Sequence, residues 1–128
     1  MRLLLDTHTF IWWDSDPTRL SQRVAALCQS SSTTLLLSVA SVWEMQIKQQ
    51  LGRLQLRMPL TGLIAAQQQT NGLEVLPVQL DHVLVLGNLP LHHKDPFDRL
   101  LICQSQVEDA ILVSADSVFS QYPVTVFW

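Results

Sequence analysis

The 128-residue chain is short of charge, of cysteine and of long apolar runs, and each shortage removes a class of protein. Charged residues are 15% against 48% hydrophobic, too apolar a balance for a disordered chain. Charge, Gln or Pro interrupts every apolar stretch well before the ~20 residues of a membrane span. The first residues hold one Arg and then Asp6, which is not the pattern of a signal peptide. Two cysteines, Cys28 and Cys103, lie inside helical patterns without CxxC spacing, as expected of buried thiols in a reduced cytoplasmic protein. Repeats and low-complexity linkers are also missing, so residues 1–128 are expected to form one domain. Excess positive charge is lacking too: a net charge of −3 argues against a broad electrostatic grip on nucleic acid. Between Met45 and Leu73, however, there are three cations (Lys48, Arg53, Arg57) and no acid. Singly each reads as a solvated helix face or polar loop; as a group they are candidate phosphate contacts.

What is present is an alternation of strands and helices. RLLLD (2–6) is a short apolar run ending in an acid, and reads as a buried strand. HTFIWW gives a short helix, and the stretch from Asp14 to Ser31 supplies cap chemistry, a Pro and apolar Leu20, Val24 and Leu27. TTLLLS (33–38) is a second strand, after which Ser38 or Ser41 caps a helix carrying Val42, Trp43, Ile47 and Leu51. Residues 59–70 and 79–87 are helical and flank a third strand, 73–78, that Pro77 marks as an edge strand or one near its end. After a loop from Leu89-Pro90, a helix begins near Asp95 and runs to about Asp109; AILVSAD (110–116) and PVTVFW (123–128) are the last strands. This order implies parallel crossovers, and so a three-layer α/β/α domain with a central parallel sheet of about five strands. In such sheets a ligand site lies beyond the carboxyl ends of the strands.

Four acids fall at that edge. Asp6 ends the first strand and Asp116 follows the fourth, while Glu44 and Asp98 sit in early turns of helices next to strands two and four. Each has a plain structural reading as well: Asp6 as a helix cap, Asp116 as a turn residue, Glu44 as a partly buried helix residue among Val42, Trp43, Met45 and Ile47. Of the other acids, Asp14, Asp16 and Asp81 read as caps or turns. Several carboxylates packed together repel unless they hold protons or hard cations. Oxygen donors favour Mg²⁺ or Mn²⁺, and one or two such ions would make phosphodiester hydrolysis feasible without a nucleophilic side chain. In HHKDPFDRLL the two aspartates separate. Asp95, before Pro96, suits an N-cap that could assist the site, and Asp98 at N3 shares a face with Leu101, Ile102 and Ser105.

Other chemistries lack their signatures. A phosphoaspartyl phosphatase wants DxD where this chain has Asp6-Thr7-His8, and a receiver domain wants paired acids and a late lysine. His92, His93 and Asp95 with His8 do not have the i, i+4 spacing of a helical zinc site, so the two loop histidines are expected to pack or face solvent. No GxSxG elbow supports serine hydrolysis, and no glycine-rich loop supports nucleotide-triphosphate binding.

LLLDTHTFIWW, SVASVWEMQIK, HHKDPFDRLLICQSQ and ILVSADSVF, in this order, resemble the PIN-domain ribonucleases of the VapC toxin type, along essentially the whole chain. By motif, the resemblance implies Asp6, Glu44, Asp98 and Asp116 as catalytic, metal-holding acids, with Asp6 and Asp98 the main ligands. Ser114, in the LVSAD segment, would orient a carboxylate or water, with Thr7 and Asp95 as further accessory residues. It also implies the PIN fold, Mg²⁺- or Mn²⁺-dependent endoribonuclease activity on tRNA or another structured RNA, a homodimer and a cognate antitoxin. SVFSQY follows Asp116 where the family often carries further polar residues, which makes Asp116 the least secure ligand. Arg99 and Lys94 join Lys48, Arg53 and Arg57 as candidate RNA contacts. The rival expectation is a non-catalytic PIN-like module that binds RNA or protein.

Overall fold

Strand parity divides the core in two. A computed structural model describes residues 1–128 and holds five strands and six α-helices. In chain order they are β1 (Arg2–Leu5), α1 (Thr7–Ser15), α2 (Gln22–Gln29), β2 (Thr34–Ser38), α3 (Val39–Gln50), α4 (Leu60–Asn71), β3 (Glu74–Leu76), α5 (Leu80–Val85), α6 (Pro96–Val107), β4 (Ile111–Val113) and β5 (Val126–Phe127). All pairings are parallel, in the order β3-β2-β1-β4-β5. Successive side chains of a strand point to opposite faces. Leu3 and Leu5 of β1, with Leu35 and Leu37 of β2, therefore pack against Phe10 of α1, Val24 of α2, Met45 of α3 and Leu63 of α4. Leu4 and Leu36 face the other way, onto Leu101, Ile102 and Cys103 of α6 with Phe119 and Tyr122. Helices thus cover both faces, the three-layer arrangement expected from the sequence. No helix is long and apolar enough to cross a membrane.

The chain steps outward from β1 to β2 to β3, then returns to place β4 on the other side of β1. That reversal opens a crevice at the carboxyl ends of β1 and β4, where neighbouring crossovers diverge. Asp6 follows β1 there and Ser114 to Asp116 follow β4. The two ends are clamped together: the Asp6 N–H donates to the Val113 carbonyl at 3.1 Å, and the Thr9 hydroxyl to the same oxygen at 3.2 Å.

Several local expectations are refined. Ser38, not Ser41, caps α3, its hydroxyl accepting from the Ala40 N–H at 3.0 Å. The Ser41 hydroxyl is buried without a partner. Trp43 and Leu51 do not join the core; Trp43 is 62% exposed and meets Phe97 edge-on. The fifth strand is shorter than residues 123–128, since Pro123 has no N–H to donate and only Val126 and Phe127 pair with β4. Asp14 is neither cap nor turn. Its side chain is 1% exposed, ion-paired with Arg57 at 2.8 Å, and accepts from Gln67 Nε2 at 2.9 Å, so it ties α1 to α4 and the loop before it. Burial pushes the Cys28 thiol up to about 11 and raises Cys103 as well, which leaves both poorly reactive.

Candidate active site

Asp6 begins the site. It is buried, and its Oδ1 caps α1 by accepting from the Thr9 N–H at 2.8 Å. A carboxylate has two oxygens, so capping leaves Oδ2 for other work. The next residue, Thr7, donates its hydroxyl to Glu44 Oε1 at 2.6 Å, joining α1 to α3. Lys48, one helical turn further along α3, lies 2.8 Å from Glu44 Oε2. A buried carboxylate is tolerated with such partners.

Across the crevice, the Asp95 side chain caps α6 by accepting from the Asp98 N–H at 2.9 Å, as its position before Pro96 suggests. Asp98 Oδ2 shares a hydrogen bond of 2.8 Å with His93 Nε2. His93 is itself fixed, its N–H donating to the Tyr122 hydroxyl at 2.8 Å and its ring meeting Phe119 edge-on. On the β4 side, the buried Ser114 hydroxyl accepts from the Asp116 N–H at 3.0 Å, and Asp116 in turn caps a short 3₁₀ turn through Val118. His93, Asp98 and Asp116 each offer a ligand atom, all within 4.8 Å of one another. Asp6 and Glu44 stand outside that trio.

Electrostatics follow from this crowding. Burial pushes the Asp98 carboxyl up to about 6, the His93 hydrogen bond opposes the shift, and the charges of Asp95, Glu44 and Asp6 add to it. Only Lys48 brings a cation onto any of these acids. The donor set is therefore oxygen-rich and negatively charged, with one imidazole, which is the chemistry that fits Mg²⁺ or Mn²⁺. Zinc sites prefer several nitrogen or sulfur donors, and here one histidine meets two carboxylates.

The remaining candidates separate. Lys94 and Arg53 are exposed and their side chains make no hydrogen bond or ion pair. Arg57 is held by Asp14, and Arg99 donates to the carbonyls of Leu89, Pro90 and His93, fastening the loop before α6. Neither guanidinium is free for phosphate in this arrangement. His92 packs on Tyr122 as expected of a loop histidine; His93 packs on Phe119 and, beyond that expectation, also joins the acids. Its signal in the sequence is faint, a histidine two residues ahead of a capped helix start. Sequence reasoning also passed over the aromatic side of the crevice, a cavity of about 280 Å³ lined by Asp6, His8, Trp12, Ala115 and Asp116.

Residues 3–124 match the family described as PIN domain. The fold is similar to that of solved VapBC and FitAcB structures. VapBC2 from Rickettsia felis, bound to a DNA fragment from its promoter, superposes with a TM-score of 0.74 at 16% identity, over 99% of this chain and 98% of that one. DNA-bound VapBC from Salmonella typhimurium gives 0.67 at 14% identity, over 99% and 97%. FitAcB from Neisseria gonorrhoeae gives 0.61 at 15% identity, over 98% and 96%. Among curated proteins, none matches the chain.

Proposed function

The chain belongs to the PIN-domain family, and from that premise we propose that it is a Mg²⁺- or Mn²⁺-dependent endoribonuclease, the toxin of a type II toxin–antitoxin pair. The observation that carries the reading is the meeting of Asp98, Asp116 and His93 within 4.8 Å at the sheet edge where Asp6 also emerges. Asp6, Glu44, Asp98 and Asp116 are the proposed metal-holding acids. A divalent cation held there would polarise a phosphoryl oxygen and lower the pKa of attacking water.

The chain's own groups set the geometry. Thr7 fixes one oxygen of Glu44 and Lys48 neutralises the other, so Glu44 can stay charged while buried. His93 orients Asp98, and Ser114 holds the backbone that presents Asp116. Lys94 and Arg53 are the cations best placed by their exposure to meet RNA phosphates, since Lys48, Arg57 and Arg99 are engaged elsewhere. A cognate antitoxin and a homodimer complete the proposal, supported by the likeness in fold to VapBC complexes and by an exposed apolar stripe on α5.

The test is RNA cleavage by purified protein with Mg²⁺ or Mn²⁺, with EDTA, and with Asp6→Asn. Cleavage is expected only with metal, and Asp6→Asn should lower it by about 100-fold or more, on the scale of losing a charge-stabilising group. Cleavage that survives both EDTA and the substitution would overturn the mechanism.

A further inference from the structure

The cavity beside the acids has a wall unlike the rest of the site. His8 and Trp12 are four residues apart on α1, so they share a helix face, and their ring centroids lie 5.9 Å apart. Trp12 is braced from behind: the Trp128 ring meets it edge-on at 5.9 Å, and the Arg19 guanidinium lies 5.1 Å from its centroid. His8 is exposed at the rim. Asp6 and Asp116 belong to the acid cluster and also line this cavity, which holds about 280 Å³ and has no cation in its lining.

We propose that this cavity is a nucleobase pocket, in which Trp12 stacks a base flanking the phosphodiester presented to the acids and the His8 ring, tilted 43° from the indole, contacts the edge of that base. The inference rests on the endoribonuclease reading and adds to it where a nucleotide is gripped. An anion would be repelled by the two carboxylates of the lining, whereas a neutral planar ring gains contact with the indole and imidazole. Every base has a π-face, so such a wall accepts an unstacked base of a single-stranded or looped RNA. The volume suits one small ring system rather than a stretch of chain. Because Trp12 is already braced on other sides, the wall exists before RNA arrives and little ordering is needed on binding.

Fluorescence anisotropy with a labelled single-stranded oligoribonucleotide tests the pocket, using Ca²⁺ in place of Mg²⁺ to keep the strand intact. The strand is compared with versions carrying one abasic nucleotide at each position in turn. The wild type should lose about 5- to 100-fold in affinity at one abasic position, the scale of one lost base–aromatic stack. Trp12→Leu should lose a similar factor on the intact strand and nothing more at that position. Trp12→Phe should retain most of the affinity, and His8→Ala, at an exposed site, should show a smaller loss. Equal affinity for all abasic strands, or additive losses in Trp12→Leu, would overturn the pocket. Cleavage with Mg²⁺ is scored in parallel: cleavage with base-independent binding overturns the pocket alone, whereas no RNA binding and no cleavage overturns the nuclease reading as well.

Discussion

At Asp98 one carboxylate experiences burial, three like charges and one imidazole together. Its pKa is raised from an unfolded value of 3.8 to about 6 in the fold. Between those values the folded state binds more protons than the unfolded one. The stabilisation from protonated Asp98 is thus fully present below about 3.8 and is lost as pH rises through about 6. In metal-free protein the loss is at most about 3 kcal/mol, from 1.36 kcal/mol per pKa unit. Asp98→Asn should therefore melt higher than the wild type at pH 7.5 in EDTA, with the difference closing toward pH 4. A lower melting temperature for the variant at pH 7.5 would mean that the carboxylate is there for stability rather than for a cation. Adding Mn²⁺ should raise the melting point of the wild type above pH 6 and have little effect on the variant.

Helix starts do double duty in this fold. Asp6, Asp95 and Asp116 all accept backbone N–H bonds as caps, yet all lie in or beside the acid cluster. Capping fixes each carboxylate through one oxygen and leaves the other free, which preorganises a cation site without extra residues. The same logic makes α3 sensitive at its start. Ser38 is fully buried, ends β2 and caps the helix that carries Glu44. Ser38→Ala would leave the Ala40 N–H without its partner and should cost about 1–2 kcal/mol, read from the urea midpoint. Unchanged stability would show that the cap contributes nothing. That Asp95 caps and that Asp98 sits at N3 of α6 was legible from DPFD alone, because caps are written in neighbouring residues. That His93 folds back onto Asp98 was not, because the contact depends on Tyr122 and Phe119 holding the loop.

Seen as a whole, the molecule leaves apolar side chains uncovered in an organised way. Leu80, Val83 and Leu84 are 73%, 46% and 65% exposed and fall at i, i+3 and i+4 of α5, on one helix face. A stripe of this kind is costly in water and is what a self-complementary interface would cover. The proposed homodimer is tested by sedimentation of the wild type beside Leu80→Glu/Leu84→Glu. A dimer that the double substitution converts to a folded monomer is expected; a wild type that is monomeric at micromolar concentration would rule the dimer out. The net charge of −3 leaves the molecule no general attraction for RNA. Binding should then depend on bound metal and on the few exposed cations, Lys94 and Arg53 among them.

Local sequence determined the elements: apolar runs ending at Leu5 and Val113, a cap at Asp95, and the order of strands and helices that implies a parallel sheet, while the choice of Ser38 over Ser41 as the α3 cap came from the fold. It also determined which acids follow which strand, since Asp6 and Asp116 are tied to strand ends by position alone. Tertiary structure decided which of those ends meet. With β1 central and β4 beside it, Thr7 reaches Glu44 across 37 positions, and Trp12 reaches Trp128 at the far end of the chain. Asp14 lost its apparent turn role, and Arg57 and Arg99 their freedom, for the same reason. Periodicity and caps act over a few residues, whereas a partner across the crevice is chosen by the strand order and by the packing that closes around it.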